Sequence, residues 1–126
     1  MAVEKSPYVS PRDRPVEMTG RTRRVHTGHG NMYVTVNLDE HGQPFEVFAT
    51  TGKAGTCDSA LTEAVTRLVS LALRSGVDPG EVVRQLRGIT CHPFVDEGVT
   101  TNSGPDAIAV VLGDQLKTTK GLKAEE

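Results

Sequence analysis

Gly28-His29-Gly30-Asn31-Met32-Tyr33-Val34-Thr35-Val36-Asn37, leading through a turn into Phe45-Glu46-Val47-Phe48 and then Gly52-Lys53-Ala54-Gly55-Thr56, is the stretch on which the fold turns. Met32, Val34, Val36 and Leu38 alternate with Tyr33, Thr35 and Asn37, the period of a strand with one buried and one wet face. Asp39-Glu40-His41-Gly42-Gln43-Pro44 makes a turn in which Gly42 is free to take positive φ. Phe45, Val47 and Ala49 then continue the buried face on a returning strand. A plain hairpin does not need glycines on both flanks. Here each glycine run carries or adjoins a potential metal ligand, His29 in the first and Cys57 just after the second.

Upstream, Arg21 to Val25 reads as a further strand, with Thr22, Arg24 and His26 alternating against Arg23, Val25 and Thr27. Residues 1–20 hold Pro7, Pro11 and Pro15 among charges with no apolar period, which predicts a flexible arm with Arg12-Asp13-Arg14-Pro15 in solvent. Downstream, Asp58 or Ser59 caps a helix whose apolar positions Leu61, Ala64, Val65, Leu68, Leu71 and Ala72 follow helical spacing, and Gly76 stops it. Asp78-Pro79-Gly80-Glu81 opens a second helix in a capping-box arrangement, with Val82, Val83 and Leu86 facing inward and Gly88 at its end. Ile89 to Asn102 reads as a loop. Pro105 opens a last helix along Ile108, Val111, Leu112 and Leu116.

The expected fold class is therefore α+β: a small antiparallel sheet built on a central hairpin, with about three helices packed on one face. One domain spans residues 21–116, between the arm and a flexible tail at 117–126.

With 126 residues, few aromatics and no Trp, the chain has room for one modest aliphatic core. Fourteen basic against 16 acidic residues leave a net charge of -2, which gives no general attraction for nucleic acid or an anionic membrane. No apolar run approaches the ~20 residues of a membrane span, and the polar N-terminus lacks the apolar segment of a signal peptide, so a cytoplasmic protein is expected. In a reducing cytosol Cys57 and Cys91 are thiols or metal ligands before they are a disulfide.

Cys57, Cys91, His29 and His92 are ligand types that zinc or another transition metal accepts, although they sit on three separate loops and Cys91-His92 are adjacent. Lys53 and Gly55, ahead of a helix N-terminus, are anion-site candidates, but the lysine comes too early for a P-loop. Gly28-His29-Gly30 opens a strand, not a helix, and is no dinucleotide fingerprint. Tight turns explain these glycines as well. No nucleophile stands beside a base in sequence. Arg21, Arg23 and Arg24 lack the aromatics that stack nucleic-acid bases and read as a charged edge strand.

Together, Gly28-x-Gly30-Asn31-x-Tyr33-Val34-Thr35-Val36-Asn37, Gly42-x-Pro44-Phe45-Glu46-Val47-Phe48, Gly52-Lys53-x-Gly55, Arg67-Leu68-x-Ser70-Leu71-Ala72-Leu73-Arg74 and Gln85-Leu86-x-Gly88-Ile89 resemble the TSCPD domain over residues 15–116. The motif that gives the family its name is matched by Asn102-Ser103-Gly104-Pro105-Asp106. The resemblance implies kinship with a domain near the C-terminus of adenosylcobalamin-dependent, class II ribonucleotide reductases, also found as small stand-alone proteins. Many members carry cysteines at the positions held here by His29, Cys57, Cys91 and Gly104, so this chain keeps two.

The reductase's radical-bearing and substrate-reducing cysteines belong to its barrel domain, and its mobile redox tail carries more; neither is matched here. The resemblance thus implies a non-catalytic accessory domain of a ribonucleoside-diphosphate reductase, working through protein-protein contacts in the deoxyribonucleotide synthesis that feeds DNA replication. A reductase catalytic chain is the expected partner. A homodimer through an open sheet edge is a second expectation, and an independent metal- or nucleotide-binding protein is the alternative function.

Overall fold

A computed structural model of the chain describes residues 6–51, 57–91, 93–96 and 99–125. The Gly52 to Thr56 loop, with the anion-site candidates Lys53 and Gly55, lies outside these residues, as do His92 and the side chain of Cys57.

Three strands, β1 (Thr19–Thr27), β2 (Gly30–Leu38) and β3 (Pro44–Thr51), form one antiparallel sheet in the order β1-β2-β3. The α+β class expected from the sequence is the class observed. Arg23 lies opposite Val34, Val25 opposite Met32 and Val36 opposite Val47, so these residues share the inner face, as the alternation predicts. The turn after β2 is held by Asp39 Oδ1, which accepts from the backbone N–H of His41 and Gln43, while Gly42 takes φ +76°.

Three helices complete the core on that face: α1 (Cys57–Arg74), α2 (Pro79–Leu86) and α3 (Gly104–Glu125). Ile108 and Leu112 of α3 are fully buried against Val34, Val36 and Val47, with Val69 and Leu73 of α1 and Val82 of α2 around them. Helix α1 ends in a Schellman turn, where Gly76 at φ +92° donates to Leu73 O and Val77 donates to Ala72 O. Asp78 caps α2 by accepting from Gly80 N, but the capping box is incomplete because Glu81 pairs with Arg84 instead.

Helix α1 also closes the outer edge of the sheet. Ser70 Oγ accepts from Val47 N and donates to Val47 O, taking both outward backbone groups of that residue on edge strand β3. Here one expectation is corrected: Leu61, Ala64, Leu68 and Leu71 do not face the core but are exposed, and Val69 and Leu73 are buried in their place. Two apolar stripes run along one helix, and the periodicity alone does not say which meets the sheet. A second correction concerns the loop from Ile89 to Asn102, which contains a short hairpin, β4 (Phe94–Asp96) with β5 (Val99–Thr101). Strands of three residues are too short to display a period.

The N-terminal stretch is exposed, as expected, yet two of its arginines tie it to the domain. Arg14 Nε reaches both oxygens of Glu46 at 2.9 and 3.1 Å, and Glu46, buried on the outer side of the sheet, also accepts from Asn37. Arg12 donates its backbone N–H to Arg74 O, receives Arg74 Nε on its carbonyl, and stacks over Phe45 at 4.9 Å. Arg23, from the basic cluster of β1, pairs with Asp114 of α3. Among the described residues, no helix is long and apolar enough to cross a membrane.

Candidate functional site

At one end of the sheet the β1–β2 turn, the start of α1, the segment Ile89–Cys91 and the start of α3 surround a cleft of about 760 Å³. His29, Met32, Asp58, Leu61, Cys91 and Gly104 are among its walls. The turn is shaped by Gly30 at φ +109° and by Thr27, whose hydroxyl donates to Gly30 O and accepts from His29 N. These bonds fix the backbone that carries His29.

The imidazole stands between two groups: Nε2 lies 3.3 Å from Cys91 Sγ, and Nδ1 lies 3.7 Å from Asp58 Oδ2. A thiol, an imidazole and a carboxylate thus stand in a row along the wall of the cleft. In the chain 62 residues separate His29 from Cys91, so their meeting is not visible in the sequence; Asp58 is legible there as a helix cap and as the helix N-terminus beside an expected pocket.

Cys91 owes its position to the segment around it. Its N–H donates to Asn102 O at 2.9 Å. Two residues before it, Ser103 Oγ donates to Ile89 O and accepts from Asp106 N, so the same hydroxyl caps α3 and holds the chain leading to the thiol.

Asp106 completes the clamp. Oδ1 accepts from Arg87 Nη1 at 2.7 Å and Gly88 N at 2.9 Å, and Oδ2 accepts from Asn102 N at 2.9 Å and Asn102 Nδ2 at 3.3 Å. Desolvation alone would raise the pKa of this carboxyl, but the N–H groups of Asn102 and Gly88, with the Arg87 charge, outweigh it and hold Asp106 below its ordinary value. The residue was legible only as the last letter of a motif; its role needed the fold.

The two ligand types placed side by side are thus His29 and Cys91. A closed zinc site takes four donors, and Gly104, at the cleft wall, brings none. A Cβ built there would stand 3.0 Å from Met32 Cε, the movable end of a flexible side chain. Among the described residues, no three of His, Cys, Asp and Glu are grouped to hold a metal ion. Of the four ligand types read from the sequence, His29 and Cys91 meet, while His92 and the side chain of Cys57 lie outside the described residues.

Comparison with known families decides what this arrangement is a version of. The model of the TSCPD domain matches residues 5–116. The chain belongs to the TSCPD domain family. Neither the curated proteins nor the solved structures yield a match. The match begins ahead of the strands, so the TSCPD unit takes in Arg12 and Arg14 and their bonds to Arg74 and Glu46. Within the TSCPD signature, Ser103 and Asp106 serve as clamps on two loops, while the position between them and Pro105, here Gly104, opens on the cleft.

Proposed function

We propose that this TSCPD domain is a non-catalytic accessory unit related to class II ribonucleotide reductase, acting through protein-protein contacts in deoxyribonucleotide synthesis. The observation that carries the reading is the use of the signature. Every oxygen of the Asp106 carboxylate is committed to holding Arg87, Gly88 and Asn102, which is the work of a scaffold and not of a reacting group. Family kinship supplies the context in which that scaffold operates.

The contact surface fits the open end of the sheet, where a cleft of about 760 Å³ offers Cys91 beside His29 to an entering segment. In this reading the segment belongs to a reductase chain, whose redox tail the domain docks or steers. The test is a pull-down from the native cell with a tagged copy, in which a class II reductase is the expected companion.

The cleft also favours a second reading, an independent small-ligand protein that takes a nucleotide there. Amide spectra recorded with and without nucleoside di- and triphosphates test it. Shifts confined to Thr27–Met32 and Ile89–Cys91 support it, and spectra without change reject it.

A further inference from the structure

The two edges of the sheet are not alike. On β3, Ser70 takes the outward N–H and C=O of Val47, so that edge is closed there. On β1, the opposite edge, Thr19 to Arg24 are all exposed, and among the described residues β2 is the only strand that pairs with it. The hydroxyls of Thr22 and Thr35 lie 2.6 Å apart, the close approach of a cross-strand pair that does not exchange backbone bonds. Thr22 therefore turns its own N–H and C=O away from β2, and Gly20 and Arg24, two residues to either side, do the same. A row of open donors and acceptors is the template on which an extended segment adds as a further strand.

Charge sets what such a segment must carry. Arg21, Arg23 and Arg24 stand in this stretch, and β1 contains no acidic residue. Arg23 is satisfied by Asp114 of α3, whereas among the described residues Arg21 and Arg24 have no carboxylate partner. A second copy of β1 is the wrong occupant, because an antiparallel two-fold centred anywhere from Arg21 to Arg24 sets arginine opposite or diagonal to arginine. The chain's own N-terminal stretch is held elsewhere, at Glu46 and Arg74. Nucleic acid would answer the charge but leave the backbone row unpaired, and β1 offers no Phe, Tyr or Trp for a base to stack on.

We infer that the β1 edge receives an extended acidic segment of another protein as a fourth strand, recognised by carboxylates three residues apart. Arg21 and Arg24 are themselves three positions apart and so project to opposite faces of the sheet. Carboxylates at the same interval on an added strand diverge in the same way, one to each arginine. Between β1 and α3 a groove of about 140 Å³ is lined by the buried Val36 and Val111 and by Arg21, Arg23 and Asp114. It has room for a small apolar side chain of the segment beside the inward carboxylate. This edge is distinct from the cleft, and the inference does not rest on a reductase partner.

Amide spectra of the whole chain test it, during titration with an acetylated peptide of threonine and valine that bears two glutamates three positions apart. The same peptide with lysines in place of the glutamates, and oligothymidylate, are the comparisons. The glutamate peptide is expected to shift the amides from Gly20 to Val25 and to slow hydrogen exchange at Gly20, Thr22 and Arg24, which attraction between charges alone would not do. The lysine peptide is expected to do neither. Arg21→Glu with Arg24→Glu should weaken the glutamate peptide about tenfold and admit the lysine peptide. The urea midpoint should stay unchanged, because both side chains are exposed. Should that pair disturb folding, Arg24→Gln alone is expected to weaken binding about threefold. The inference is overturned by β1 amides that do not respond up to millimolar peptide, by equal responses to the two peptides, or by shifts without slowed exchange. Oligothymidylate shifting β1 where the glutamate peptide does not would overturn it as well.

Discussion

Arg87 and Asp106 meet at 2.7 Å with the guanidinium half in solvent and the carboxylate wholly buried. The asymmetry makes them unequal in stability. Asp106→Ala leaves the N–H groups of Gly88 and Asn102 without their acceptor as well as removing the pair, and is expected to cost about 3 kcal/mol or more. Arg87→Ala leaves the carboxylate with its other three donors and is expected to cost about 1 kcal/mol. Urea unfolding of the two variants beside the native chain measures both; equal losses would show that the backbone donors contribute nothing.

The same carboxylate sets a response to acid. Asp106 and Asp39 both titrate below the ordinary 3.8 in the folded state. For Asp39, desolvation opposes the shift, and the N–H groups of Gln43 and His41 with Arg12 overcome it. Between each folded pKa and 3.8 the unfolded chain binds more protons. Stability from these groups is therefore complete above 3.8 and lost as pH falls through the folded values. Urea midpoints measured from neutral pH downward should fall below that value, and less steeply in Asp106→Asn than in the native chain.

Ser70 seals the sheet edge with one hydroxyl. Ser70→Ala leaves Val47 N and O without that partner and opens no large cavity, so a loss of about 1–3 kcal/mol is expected. Amide hydrogen exchange provides the sharper readout, with Val47 N–H exchanging faster in the variant than in the native chain.

Gly20 lies where β1 crosses Asn37. A Cβ there would fall against Asn37 Oδ1 and 2.5 Å from Val36 O, which is backbone and cannot turn aside. Gly20→Ala is expected to cost about 1–3 kcal/mol through forced displacement at the β1–β2 ladder. Thermal melts would register it as a lowered midpoint, and an unchanged midpoint would show that the strand end shifts freely.

The hairpin was readable because its two periods, alternation and turn chemistry, coincide in one stretch; the register from Met32 to Val47 follows the alternating residues. The orientation of α1 was not, because Leu61, Ala64, Leu68 and Leu71 carry as regular a period as the residues that meet the sheet. In the site, His29 and Cys91 were legible as ligand types. Their meeting at 3.3 Å was not, since it depends on the β1–β2 turn and on a segment held by Ser103 and Asp106. Asp58 was legible as the helix start beside a pocket, but not as a neighbour of His29 Nδ1.

The central claim is that this TSCPD domain works by contact with a reductase, and affinity capture tests it most directly. A tagged full chain and its Cys91→Ser counterpart, expressed at native level and recovered under mild conditions, are compared by mass spectrometry. The account predicts that a class II ribonucleotide reductase is enriched with the native chain and reduced with the variant. Repeated capture that recovers neither a reductase nor any other enzyme of nucleotide metabolism would contradict it.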